Sequence, residues 1–155
     1  MGEAKQMLFA RNLMTICVES FDDSDFQGLL WHQYSDDPIE FTSAMHMVTI
    51  MDGLMDDWDF PQNGLDLRKF NEDDAGHRRK GGANDELVID KISRIHGTRN
   101  IQNKKGKIAT FIVQVAYRQN ATWQGQVVCA ESNEKKTFAS ELDFLRILKN
   151  EINEL

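Results

Sequence analysis

Two cysteines, two prolines and the lack of any long apolar run are the scarcities that frame this chain of 155 residues. Cys17 and Cys129 are too few and too far apart for a disulfide framework, so the fold must rest on its core. A bilayer-spanning helix needs about 20 consecutive apolar residues, and no segment comes near that. Residues 1–6 have neither the basic region nor the apolar stretch of a secretory signal. Gln6 stands where a myristoylation motif requires Ser or Thr. A cytoplasmic setting is therefore expected, with no membrane contact. No Ser-His-Asp order, zinc spacing or dinucleotide fingerprint can be read along the chain, and no cofactor or metal is expected.

What is present is a globular composition, 41% hydrophobic and 28% charged, of a length that suits one domain. The net charge of −7 is unevenly spread. Residues 1–76 carry 4 basic and 16 acidic side chains, residues 77–107 carry 9 and 3, and residues 108–155 carry 5 and 6. Such runs are either solvated faces or contact surfaces. An acidic first half repels a nucleic-acid backbone and attracts a basic protein surface.

A repeated pattern organises the chain. Phe26-Gln27-Gly28, with Phe41-Thr42-Ser43 and a helical run after it, is matched 97 positions on (26 to 123) by Trp123-Gln124-Gly125, then Phe138-Ala139-Ser140 and a second helical run. Equal spacing of strand, turn and helix signals implies one supersecondary unit built twice. In the first unit, residues 11–60, Met14, Ile16 and Val18 alternate as a strand, Phe26 to Tyr34 return, and Asp36-Asp37-Pro38 turn the chain into Ile39-Glu40-Phe41. Thr42 or Ser43 caps a helix whose apolar stripe is Met45, Val48, Met51 and Met55, widened by Met47, Ile50 and Leu54, ending near Trp58 ahead of Pro61. In the second, residues 108–155, Phe111, Val113, Val115 and Tyr117 face inward. Trp123 to Ala130 return, Ser132 to Lys136 turn, and Thr137-Phe138 form the short strand. Ser140 caps a helix with stripe Leu142, Leu145, Leu148 and Ile152, flanked by Phe144 and Ile147. The expected fold is α+β: internally duplicated βββα units in one antiparallel sheet, with two helices packed on one face.

Residues 61–107 link the units. Within them 71–84, rich in glycine and charge, reads as a mobile loop. Asp85 can cap a short helix bearing Val88, Ile92 and Ile95 that stops at Gly97.

If the strands alternate strictly, Cys17, Phe21, Leu29 and Trp31 lie on the sheet face away from the helices. The second unit places the more polar Gln114, Arg118, Gln126 and Val128 there. An apolar patch on a free face suits a partner or a homodimer, unless the linker folds over it. The cluster Glu72-Asp73-Asp74-Ala75-Gly76-His77-Arg78-Arg79 could hold a metal or a phosphate, although no second cluster supplies matching ligands. The basic segment 77–107, with Arg78, Arg79, Lys80, Lys104, Lys105 and Lys107, lacks the interleaved aromatics that stack bases, which weighs against nucleic acid as the partner. Cys17 lacks the basic neighbour that would make it a nucleophile, and Cys129, on the inward face of its strand, reads as core.

Tyr117 to Gly125, read as RQNATWQG after its tyrosine, together with Phe138-Ala139-Ser140-Glu141-Leu142, resembles a family of small proteins from clostridia-type Firmicutes. Their signature is strand, RQNATWQG, strand, then an FxSxLxxL helix; Phe60-Pro61-Gln62, Arg68 and Phe70 look similar too. The resemblance implies no activity and carries over no catalytic residue. The residues themselves favour a non-enzymatic interaction module, an acidic inhibitor or adaptor for a larger protein that binds nucleic acid, such as a defence nuclease. Its contacts would come from Phe21, Asp22, Asp23, Asp25, Leu29, Trp31, Arg78 and Arg79. The alternatives are a metal-dependent phosphate enzyme at residues 72–79 and a nucleotide or nucleic-acid binder at 77–107.

Overall fold

The alternation around Ile16 becomes strand β1 (Met14–Asp22), which returns as β2 (Asp25–His32) and continues to a short β3 (Ile39–Phe41). Helix α1 (Ala44–Trp58), a two-residue β4 (Asn63–Gly64) and helix α2 (Val88–His96) follow. Then come β5 (Ala109–Gln119), β6 (Thr122–Cys129), β7 (Glu134–Phe138) and α3 (Glu141–Asn153). The computed structural model describes residues 8, 10–22, 25–61, 63–64, 86–119 and 122–154. The loop expected at 71–84 and the cap expected at Asp85 lie outside the described residues.

The fold is α+β. Six antiparallel strands run in the order β3-β2-β1-β5-β6-β7, and β4 adds a parallel pairing to the end of β5, Asn63 opposite Arg118. One main core joins Ile16, Phe26, Leu30, Phe111 and Val113 of the sheet to Met47, Met51 and Met55 of α1 and to Phe144, Leu148 and Ile152 of α3. Burial of such side chains contributes about 1.5–3 kcal/mol each. The helices start where the sequence places their caps: Ser43 Oγ accepts from the His46 N–H, and Ser140 Oγ from the Asp143 N–H, both at 3.0 Å.

Both long strands slip register once, β1 between Val18 and Ser20 and β5 between Val115 and Tyr117. Opposite the slips the partner strand carries glycine for a steric reason. A Cβ on Gly28 would stand 2.0 Å from the Cys17 carbonyl oxygen, and one on Gly125 2.0 Å from that of Gln114.

These bulges overturn part of the strict alternation. One extra residue exchanges the two faces for everything beyond it. Phe21 therefore pairs with Phe26 and packs on the main core instead of facing away. Arg118, expected outward, is buried, whereas Tyr117, expected inward, is exposed. The helical stripes are also rotated: Met45 is 64% exposed and Leu142 78%, while Met47 and Phe144 are fully buried. Each helix begins just after its serine cap, and its second residue points to solvent while buried positions recur every four residues. In α2 the fully buried residue is Ile89, with Val88 and Ile95 exposed. Gly97, at φ 78°, ends it as expected. The turn after β6 is tighter than expected because Asn133 takes the left-handed conformation, φ 58°, so β7 already begins at Glu134.

Candidate functional site

The sheet face away from the main core is built from cross-strand rows. Trp31, Thr15, Ile112 and Val128 are successive neighbours across β2, β1, β5 and β6. Over this row Leu8, Leu13 and Ile101 close as a second, smaller buried cluster against which Trp31 packs. Polar bonds fix the cover. Thr15 Oγ1 donates to the Ile101 carbonyl at 2.9 Å, and the Gln102 amide exchanges bonds of 3.0 and 3.4 Å with the backbone of Leu8. Asn12 Nδ2 donates to the Val115 carbonyl at 2.9 Å. Lys104 Nζ lies 4.2 Å from the centre of the Trp31 ring, a cation held on an aromatic face. Linker residues 101–104, together with Leu8 and Leu13 ahead of β1, thus cover the middle of this face, leaving Trp31 half-buried.

The neighbouring row runs Glu40, Leu29, Cys17 and Thr110. Glu40 is exposed and Leu29 half-buried. Burial, then the charge of Glu19, pushes the Cys17 thiol up to about 11, so it stays protonated and unreactive near neutral pH. Cys129, which lies in the main core, is also raised by burial.

The expected contact residues are dispersed by the fold. Leu29, Trp31 and the exposed Asp22 belong to the first three strands, whereas Phe21 belongs to the core side. Asp25 has a structural duty: its Oδ1 accepts from the Ala44 N–H at 2.8 Å and the Phe26 N–H at 2.9 Å, tying the first turn to the start of α1. Asp23, Arg78, Arg79, Lys80 and the whole cluster 72–79 lie outside the described residues. Several basic side chains of the linker are engaged within the molecule. Arg94 binds Glu86 through two nitrogens at 3.0 and 3.1 Å, and Arg99 binds Asp36 at 2.8 Å.

The strongest electrostatic feature is the acidic surface of the first three strands and α1. Among the described residues 10–61, Arg11 is the one Lys or Arg, against Glu19, Asp22, Asp25, Asp36, Asp37, Glu40, Asp52, Asp56, Asp57 and Asp59. The last turn of α1 has no basic residue, so its carboxylates sit at the negative end of the helix dipole. A clasp that the sequence reading missed offsets two of them. Arg118 reaches from β5 to Asp52 at 3.2 Å, Asp56 at 2.8 Å and the Pro61 carbonyl at 2.7 Å. The available signal was an Asp pair four apart on a helix, which one guanidinium can bridge. Asp57, on α1, and Glu40, on the face of the sheet away from the main core, remain exposed.

Among the described residues no group of three or more His, Cys, Asp or Glu is placed to hold a metal ion. Nor is any of their helices long and apolar enough to cross a membrane. A scan against protein-family models and searches of curated proteins and of solved structures found no match.

Proposed function

We propose that the chain is a non-enzymatic protein-interaction module whose first unit meets a basic surface on a larger protein. The observation that carries this reading is the charge asymmetry: ten acidic side chains against Arg11 among the described residues 10–61. Several of them crowd the C-terminal end of a helix, where they work against its dipole. A surface of one sign speeds association with a complementary partner and rejects others. A nucleic-acid-binding protein, a defence nuclease being one case, presents such a basic surface, and a small acidic inhibitor or adaptor would occupy it. Glu40 with its neighbour Leu29, Asp22 and the rim of Trp31 would form the contact.

The architecture behind this surface is, in our proposal, one βββα unit built twice with both long helices on the same side of the sheet. Supporting it, Gly28 pairs with Phe41 as Gly125 pairs with Phe138, each member displaced by 97 (28 to 125, 41 to 138). The bulges, serine caps and buried helix positions keep the same displacement. Thr15 also pairs with Ile112, 97 positions on (15 + 97 = 112), which supports a two-fold relation between β1 and β5.

Immobilised protein should recover one basic protein in stoichiometric amount from extracts of its own cells. Combined Asp22→Lys, Glu40→Lys and Asp57→Lys should abolish recovery, as should salt of about 0.5 M, which screens charges beyond a few ångströms. Recovery unchanged in the triple variant, or no recovery at all, would sink the reading.

A further inference from the structure

His32 closes β2 in an aromatic cage. Its side chain is 9% exposed, with the ring centre 5.5 Å from that of Trp58 in α1, edge to face, and 6.3 Å from that of Tyr34. The Tyr34 N–H donates to His32 Nδ1 at 3.2 Å. A backbone amide can only donate, so Nδ1 must keep its lone pair and the neutral ring carries its proton on Nε2. A second proton, on Nδ1, would set its N–H against the Tyr34 N–H.

The turn beyond His32 is also where the covering strap of residues 97–108 is fastened. The Arg99 N–H donates to the Gln33 carbonyl at 2.8 Å. The Arg99 guanidinium holds Asp36 at 2.8 Å and the His96 carbonyl at 2.7 Å. From this anchor the chain continues to Ile101, over the Thr15 row, and to Lys104, on Trp31. We propose that His32 is a proton-operated latch: in acid the imidazolium forces open the turn at Gln33–Tyr34, Arg99 loses its seat, and the strap lifts from Trp31, Thr15 and Ile112.

The surrounding charges set its direction. Burial first, and then Arg99, hold the imidazole below its usual value, so the latch is shut at neutral pH. Asp36, paired with Arg99, tempers that positive charge. Arg11 and Asp90, paired at 3.1 Å, sit behind Tyr34, whose hydroxyl donates to the Arg11 carbonyl at 2.6 Å. Asp59 follows Trp58 on α1, His96 ends α2, and β1 brings the uncharged Met14 opposite His32.

Amide hydrogen exchange by NMR tests the latch in the full chain, with rates corrected for the chemical effect of pH. Between pH 7.5 and about pH 5, the Arg99 amide should lose at least about tenfold in protection while the β5–β6 amides keep theirs. His32→Asn, whose Oδ1 can accept from Tyr34 without titrating, should keep the Arg99 amide protected in acid. His96→Gln, at an exposed histidine, should leave the loss unchanged. Equal protection of the wild type at both pH values, or the same loss in His32→Asn, overturns the proposal. Should His32→Asn not fold, the wild type decides: the His32 ring and the Arg99 amide must titrate with one midpoint, and separate midpoints overturn it.

Discussion

Residues 10–61 and 108–154 each contain three antiparallel strands followed by a long helix, yet their side-chain chemistry differs at many positions 97 apart. Serine caps, bulges and the glycines facing them recur at a displacement of 97 (43 to 140, 28 to 125). At other equivalent positions the residues part: Phe21 against Arg118, Leu54 against Glu151, Ile39 against Lys136, Glu40 against Thr137. The comparison teaches which positions the backbone dictates. Where a carbonyl crowds the site or a helix needs a cap, the residue type is held. At the margin of the core, an apolar contact in one region is replaced by an ion pair in the other, and the fold accepts both.

The sharpest way to break the comparison is at its glycines. Gly28→Ala and Gly125→Ala each drive a methyl group to 2.0 Å from a backbone oxygen, which no side-chain rotation can relieve. Each should lower stability by about 3 kcal/mol in chemical denaturation, by forced movement in a close-packed sheet. Tolerance of one and not the other would show that the two bulges are not equivalent.

Arg118 comes next. Its side chain is 3% exposed, yet the carboxylates it serves are 51% and 62% exposed and can be rehydrated. Arg118→Ala therefore should cost about 2 kcal/mol, from lost packing and the deserted Pro61 carbonyl, less than the penalty for stranding a buried charge. Arg118→Phe installs the residue found at the equivalent Phe21 and should stay within about 1 kcal/mol of wild type, since an apolar replacement of similar volume often matches a buried ion pair. A loss in Phe as large as in Ala would end the claim of equivalence.

In the second region Glu151, 4% exposed, accepts from Ser132 Oγ at 3.4 Å and pairs with Lys136 Nζ at 3.1 Å, where the first region has Leu54 and Ile39. Hydrogen bonding to Glu151, and then its charge, raise the Lys136 ammonium above its usual 10.5. A raised folded value means a contribution fully present below 10.5 and lost as pH climbs through the folded value. Thermal melts of the wild type should thus fall in alkali above about pH 10.5. Glu151→Leu should flatten that limb and change stability at neutral pH by less than about 1 kcal/mol. An unchanged alkaline limb in Glu151→Leu would mean that another group causes it.

The succession of three strands and a helix in each stretch, a hydroxyl cap at Thr42 or Ser43 and another at Ser140, the end of α1 near Trp58 and the Gly97 stop were legible in the sequence, because each depends on local chemistry: alternation, a hydroxyl, a free φ. The faces were legible only as far as the first bulge. Nothing in the residues around Glu19 or Ala116 announces an extra residue, yet one in each strand turned Phe21 onto the core and buried Arg118. The cover over Trp31 depends on Leu8 and Ile101 meeting from 93 positions apart (8 to 101), a tertiary choice that periodicity does not encode. The acidic surface was visible from composition, but its clasp by Arg118 was not, because strict alternation pointed that side chain the other way.

The smallest expected effect separates the true helical stripes from the apparent ones. Met45 and Leu142, large and apolar, head the runs that periodicity favours, yet both lie in solvent at the second position of their helices. Met45→Gln and Leu142→Gln should each change stability by no more than about 0.5 kcal/mol, as surface substitutions do. Phe144→Ala, two residues on and fully buried beside Trp123 and Phe138, should cost about 3–5 kcal/mol. A loss above about 1 kcal/mol in Leu142→Gln alone would mean that Leu142 is covered in solution, and that the two helices differ at the position where the structure makes them most alike.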